Sequence, residues 1–193
     1  MDGAQAPAGF KPEVLAQVGP ALKGLVDQGA LSGMVTLVWK GGREIQFNAI
    51  GQRDIEGGLP MERDTIFRIA SMTKPVTTLA ALMLVEEGKL SISDPITKWL
   101  PEFKDMAVLK DAAGPIDHTV PAQRDITVED LMTHRSGLAY GFSSRGPIAH
   151  AHEAKLGSLL ANTYSPDEWL QRLSELPLSY QPGERFHYSH ATE

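Results

Sequence analysis

The sequence predicts a mixed α/β (α+β) chain in which a helix and an antiparallel β-hairpin precede a long, mostly helical region. Three observations carry this. Residues 12–28 place apolar side chains at helical spacing, two β-rich runs flank Lys40-Gly41-Gly42-Arg43, and an apolar run from Ser71 to Glu87 is closed by Gly88.

In the first helix the apolar positions are Val14, Leu15, Val18, Leu22, Leu25 and Val26, with Gly29 as its stop. Met34–Trp39 and Glu44–Ile50 form the hairpin. Residues 51–64, Gly-rich and polar, are expected to be a loop. In the helix from Ser71, the residues Val76, Leu79, Ala80, Leu82, Met83, Leu84 and Val85 are apolar nearly all round, the pattern of a buried helix. Ser93-Asp94-Pro95 opens a short helix through Leu100 that Pro101 ends. Residues 104–124 hold Gly114, Pro115 and Pro121 without periodicity and are expected to be an excursion. Thr127–Met132 makes a short helix capped by its Thr, and residues 137–163 hold a small-residue helix in the middle. Ser165-Pro166-Asp167-Glu168 opens a last helix to about Leu176, and Pro182-Gly183-Glu184 turns into Arg185–His190. The expected organisation is residues 1–62 as the N-terminal part of an α/β domain and 63–193 as the mostly helical region. A two-stranded sheet leaves one face and one edge uncovered, so further strands or another chain are expected to cover it.

Composition narrows the chemistry. A net charge of −6 without any Lys/Arg cluster argues against nucleic acid. The chain has no cysteine, which removes thiolate metal sites and cysteine nucleophiles and leaves Ser, Thr, Lys or a carboxylate for covalent catalysis. The N-terminus lacks the basic start and apolar core of a signal peptide, and no apolar run approaches the ~18 residues of a membrane span. A cytoplasmic, membrane-free protein is the expectation. His150 and His152 are two apart, on different faces of a helix, and are expected to be surface residues rather than metal ligands. His118, His134 and His187 read as hydrogen-bonding loop residues. The neighbouring acids Glu86/Glu87 and Glu129/Asp130 diverge on their helices, against a glycosidase pair. Gly41-Gly42 and Gly57-Gly58 lack the surroundings of a phosphate loop. No metal and no cofactor are expected.

Ser71-Met72-Thr73-Lys74 is the one Ser-x-x-Lys in the chain. Alone it is weak, and an N-capping Ser with a surface Lys is the plain alternative. A spacing of three puts both side chains on one helix face, so the amine can reach the hydroxyl. Pro75 belongs in the first turn of a helix, which places Ser71 at or near the helix start, where free N–H groups favour developing negative charge. Burial and the dipole there favour an amine able to accept a proton.

The surrounding residues carry a resemblance. Phe67-Arg68-Ile69-Ala70-Ser71-Met72-Thr73-Lys74 is followed by Glu87-Gly88-Lys89-Leu90, Asp94-Pro95-Ile96 and Leu100-Pro101. Two further blocks are Ile126–Leu138 and Pro182-Gly183-Glu184-Arg185-Phe186-His187-Tyr188-Ser189. In this order they resemble the serine β-lactamase-like superfamily, which includes class C β-lactamases, D-Ala-D-Ala carboxypeptidases and family VIII esterases. The resemblance implies a β-lactamase/transpeptidase-like fold with Ser71 as the acylated nucleophile, Lys74 sharing its proton and Tyr188 as general base and then acid. It also implies that the Ser71 N–H forms half of an oxyanion hole. Tyr140 would line the substrate pocket, with a packed loop aromatic as the equal alternative. Penicillin-recognising members continue Tyr-x-Asn, whereas this chain has Tyr188-Ser189-His190. His190 would thus be a substrate-binding residue with only part of an amide's donor and acceptor capacity. That favours small-molecule carboxylic esters over β-lactams or D-amino-acid peptides, with a non-catalytic binding homologue as the alternative outside enzymes. The family's Lys-Thr-Gly or His/Trp-x-Gly strand, its second oxyanion N–H, its remaining strands and its C-terminal helix have no counterpart here. The expectation is therefore a piece of a longer or split enzyme, completed by a second polypeptide that supplies them.

Overall fold

The computed structural model describes residues 9–157 and 163–189. The chain divides between Arg68 and Ile69 into two compact units.

In the first unit, α1 (Pro12–Asp27) is followed by β1 (Gly33–Lys40), β2 (Arg43–Asp54) and the short β3 (Leu59–Pro60), in an antiparallel sheet of order β1-β2-β3. Gly41 and Gly42 both take positive φ, 58° and 76°, which a two-residue turn of primed type requires, and Lys40 pairs with Arg43. The hairpin is as expected. The loop expected over 51–64 is not: β2 runs on through Gly51 (φ 79°) and pairs with β3 on both sides of a register shift between Gln52 and Asp54. The glycine marks an irregularity in a strand that continues, and not its end. α1 lies along β2, where Gln46 Nε2 donates to the Leu15 carbonyl at 2.6 Å.

The second unit starts with a 3-10 turn, Ala70–Met72, that runs straight into α2 (Thr73–Glu86), and Gly88 (φ 69°) follows the helix as its left-handed stop. Of this helix only Lys74 is buried. Val76, Leu79 and Met83 are exposed at 63%, 60% and 55%, so the expectation of a buried helix is overturned. Among the described residues none of its apolar side chains joins the core cluster of its unit. That core gathers instead around Ile96, Phe103, Val108, Ile126, Ile148 and Leu178.

Two 3-10 turns, Ile96–Lys98 and Pro101–Phe103, stand where one short helix ending at Pro101 was expected; Pro101 begins the second turn, the position where its missing N–H is harmless. The excursion over 104–124 holds β4 (Ala107–Leu109) and β5 (Thr119–Pro121), paired antiparallel. The segment around Leu178 extends this pair, since Leu109 N–H donates to the Leu178 carbonyl (2.9 Å) and Leu178 N–H to that of Ala107 (2.8 Å). α3 (Val128–Met132), α4 (Pro147–Leu156) and α5 (Pro166–Ser174) complete the unit, and Ser165 caps α5 by accepting from Glu168 N–H. Among the described residues no helix is long and apolar enough to cross a membrane.

α3 is short and is held by its cap. Thr127 Oγ1 accepts from Asp130 N–H while Asp130 accepts from Thr127 N–H, a reciprocal capping box. Arg124 reaches the same carboxylate with two hydrogen bonds, 2.5 and 2.9 Å. Burial pushes the Asp130 carboxyl up, but the bonds from Arg124 and Thr127 outweigh it and hold the group below the usual range. Asp130→Ala should destabilise the protein by about 2 kcal/mol, less than a fully buried pair because the guanidinium keeps part of its water. The folded state takes up this proton less readily than the unfolded one. The contribution is therefore full above the unfolded value, near pH ~4, and lost as pH falls further. Urea midpoints should differ between parent and variant at pH 7 and draw together as the pH falls below about 4.

Candidate active site

Ser71 is the middle residue of the 3-10 turn that feeds α2, and the residue before it, Ala70, is held at φ 45°, a left-handed conformation that costs an L-residue energy. The Ser71 side chain does not cap the helix; Met72 occupies the cap position without a side-chain bond. Lys74 lies in the first turn of α2 and is buried at 7% exposure, so a capping Ser with a surface Lys does not describe this pair.

The third expected residue arrives from a distant stretch of the unit. Gln181-Pro182-Gly183-Glu184 closes a tight turn, with Glu184 N–H donating to the Gln181 carbonyl at 3.0 Å. Pro at its second position and Gly183 at φ 83° in the third are the residues a type II turn demands. Beyond it, Gly183 N–H donates to the Arg135 carbonyl and His187 N–H to that of His134, both at 2.7 Å. Ser143 Oγ donates to the Tyr188 carbonyl at 2.6 Å. Held in this way, the Tyr188 hydroxyl donates to Ser71 Oγ at 2.5 Å. Lys74 Nζ stands 5.0 Å from the centre of the Tyr188 ring. Ser71, Lys74 and Tyr188, separate in the sequence, thus form one cluster.

Tyr140 stands beside this cluster, its ring centre 6.1 Å from that of Tyr188, with Phe142 and His152 at 6.0 and 6.2 Å. His190 lies outside the described residues.

The remaining histidines divide. His150 is exposed on α4 as expected, but His152 is buried at 3%, against expectation. A spacing of two sends them to different sides of the helix; His152 shares a stripe with Ile148 and Leu156, four residues either way, and that stripe faces the core. His187 Nε2 lies 3.1 Å from Ser144 Oγ, and His134 Nδ1 accepts from Ser189 N–H, so both serve as hydrogen-bonding loop residues. Burial, and secondarily the charge of Arg185, push the His187 imidazole below its usual range, which keeps it neutral near pH 7. His134 is the residue whose place in this cluster the sequence did not announce. Its left-handed φ of 56° and its contacts with Phe186 and Tyr188 arise from tertiary structure, and the one trace in the sequence is its position just after the capped helix.

A hydroxyl bonded to a phenol, with a buried amine beside the phenol ring, can pass its proton away and return it to a departing group. The Beta-lactamase family model matches residues 20–192. An uncharacterized protein of Mycobacterium tuberculosis is 56% identical over 173 residues, 90% of this chain and 42% of the relative. Esterase EstB of Burkholderia gladioli is 36% identical over 163 residues, 84% of this chain and 39% of the esterase. Among solved structures, EstCE1, described as a hydrolase with promiscuous acyltransferase activity, superposes with a TM-score of 0.74 at 31% identity, covering 93% of this chain and 44% of that one. The chain therefore spans less than half the length of these relatives.

Proposed function

Because this chain belongs to the β-lactamase family, we propose that it carries the acylation site of a serine hydrolase that cleaves small carboxylic esters through an acyl-Ser71 intermediate. The observation that carries the reading is the 2.5 Å contact between the Tyr188 hydroxyl and Ser71 Oγ, with the Lys74 amine buried beside the same ring. Lys74 first takes the proton of the Tyr188 hydroxyl and, as an ammonium, stabilises the phenolate; Ser71 Oγ then attacks the ester carbonyl as its own proton passes to the Tyr188 oxygen. The Ser71 N–H, near a helix start, faces the charge that grows on the carbonyl oxygen. As the tetrahedral intermediate collapses, Tyr188 returns the proton to the departing alcohol. Water then enters, gives its proton to Tyr188 and releases the acid, and Ser71 recovers its hydrogen. No cofactor takes part. Tyr140 lines the acyl or alcohol pocket, and His190 replaces the amide that penicillin-recognising relatives place there. The second oxyanion donor comes from further polypeptide, in keeping with relatives more than twice as long.

The esterase reading is supported by the identity with EstB and by the Tyr-Ser-His sequence at 188–190. The test compares p-nitrophenyl butyrate with nitrocefin in the intact protein. Ester hydrolysis should exceed nitrocefin hydrolysis by about 10²-fold or more in kcat/KM. Equal rates would favour a β-lactamase, and no turnover of either, with no fluorophosphonate adduct at Ser71, would leave a binding protein.

A further inference from the structure

We infer that His134 is a positioning residue that holds the Tyr188 phenol over Ser71; the inference rests on the catalytic role proposed for Tyr188. Several separate observations converge on it. His134 follows the C-terminal end of α3 at φ 56°, in the left-handed region where Asn, Asp and His are the non-glycine residues most readily accommodated. From that bend it grips both neighbours of Tyr188. Its carbonyl accepts from His187 N–H at 2.7 Å, and its Nδ1 accepts from Ser189 N–H at 3.3 Å. Between these two anchors the Tyr188 ring lies against the imidazole, centres 4.6 Å apart at an angle of 33°. Phe186 meets the imidazole edge-on, at 5.6 Å and 76°.

These contacts have a definite task. A tyrosine hydroxyl is placed by its backbone and by two side-chain torsions, of which the ring torsion is broad and weakly restrained by itself. The anchors at 187 and 189 fix the backbone from one residue, and the stacked imidazole fixes the plane of the ring. The Ser143 bond to the Tyr188 carbonyl holds the same peptide from another loop. His134 thus meets the Tyr188 ring and the backbone on both sides of it. It therefore acts through Tyr188.

The experiment is a mutant cycle on kcat and KM for p-nitrophenyl butyrate in the intact protein, with His134→Ala, His134→Asn, Tyr188→Phe and the doubles. His134→Ala should lower kcat about 30-fold and leave KM within about threefold, as expected when a reacting group is misplaced by a fraction of an ångström. His134→Asn, which tolerates the left-handed bend and offers a carbonyl to Ser189 N–H, should recover to within about fivefold of the parent. In the Tyr188→Phe background, either His134 change should cost less than about twofold, because residues that act as a unit are not additive. Full multiplicative losses in the doubles, or parental kcat in His134→Ala, would overturn the inference. If His134→Ala does not fold, the same cycle with His134→Asn decides it, through a loss of about fivefold that vanishes when the Tyr188 hydroxyl is gone. Parental kcat in Tyr188→Phe itself would instead overturn the role of Tyr188, an outcome distinct from an impaired Tyr188→Phe beside an unaffected His134→Ala.

Discussion

Ser71→Ala should lower ester hydrolysis by the intact protein by about 10⁵-fold and abolish labelling by a fluorophosphonate probe. The size follows from what an alanine leaves behind. Without Oγ there is no acyl-enzyme, and only water held near a partial oxyanion site remains to attack. Stability should barely change, since the Ser71 side chain is exposed and does not cap α2. A thermal midpoint within about 2 °C of the parent would separate loss of chemistry from loss of fold. Retention of parental hydrolysis, or an adduct on another serine, would dismiss Ser71 as the nucleophile. The strained Ala70 next to it is a reason to leave that position unaltered in the same experiment, because relaxing φ 45° would shift the serine as well.

Tyr188→Phe should lower kcat by about 10³-fold with KM within about threefold. The loss is smaller than for Ser71 because the nucleophile survives and water can carry its proton slowly. KM should hold because the change removes one oxygen and keeps the ring. Its contacts with His134 at 4.6 Å and Tyr140 at 6.1 Å need no hydroxyl. A large rise in KM at unchanged kcat would place Tyr188 in substrate binding instead. Stopped-flow measurement of p-nitrophenol release distinguishes a slowed acylation from a slowed deacylation. Both should slow, since the same phenol moves the proton in each half.

Much of this arrangement was legible in the sequence where short-range chemistry decides it. Gly41-Gly42 dictates a two-residue turn, Thr127 and Ser165 dictate where helices begin, and Pro182-Gly183 dictates the turn before Tyr188. The Ser71, Lys74 and Tyr188 set was reached through family resemblance in the order of motifs, and the structure brings the three together. What escaped depends on partners. β4 and β5 have three residues each, too few for an alternation to register, and exist because they pair with one another and with the Leu178 segment. Gly51 reads as a break because composition does not reveal that the strand resumes beyond it. The apolar surface of α2 says which residues avoid water and not what lies against them, so burial inferred from it failed at Val76 and Leu79. His152 was misjudged because its side of α4 is set by Ile148 and Leu156, and the place of His134 against Tyr188 went unread because stacking of that kind has no local signature.

The bond between Ser71 and Tyr188 joins residues 117 positions apart. Closing so long a loop carries an entropic penalty that nothing local repays, and contacts of this span form late in folding. The serine and lysine can lie side by side as soon as α2 winds, whereas the phenol arrives only once the Pro182-Gly183 turn has docked on Arg135 and His134. Reactivity of the hydroxyl should thus appear last along the folding coordinate. During synthesis and refolding the chain would carry a dormant serine, unable to acylate itself on passing esters until the rest of its unit is in place.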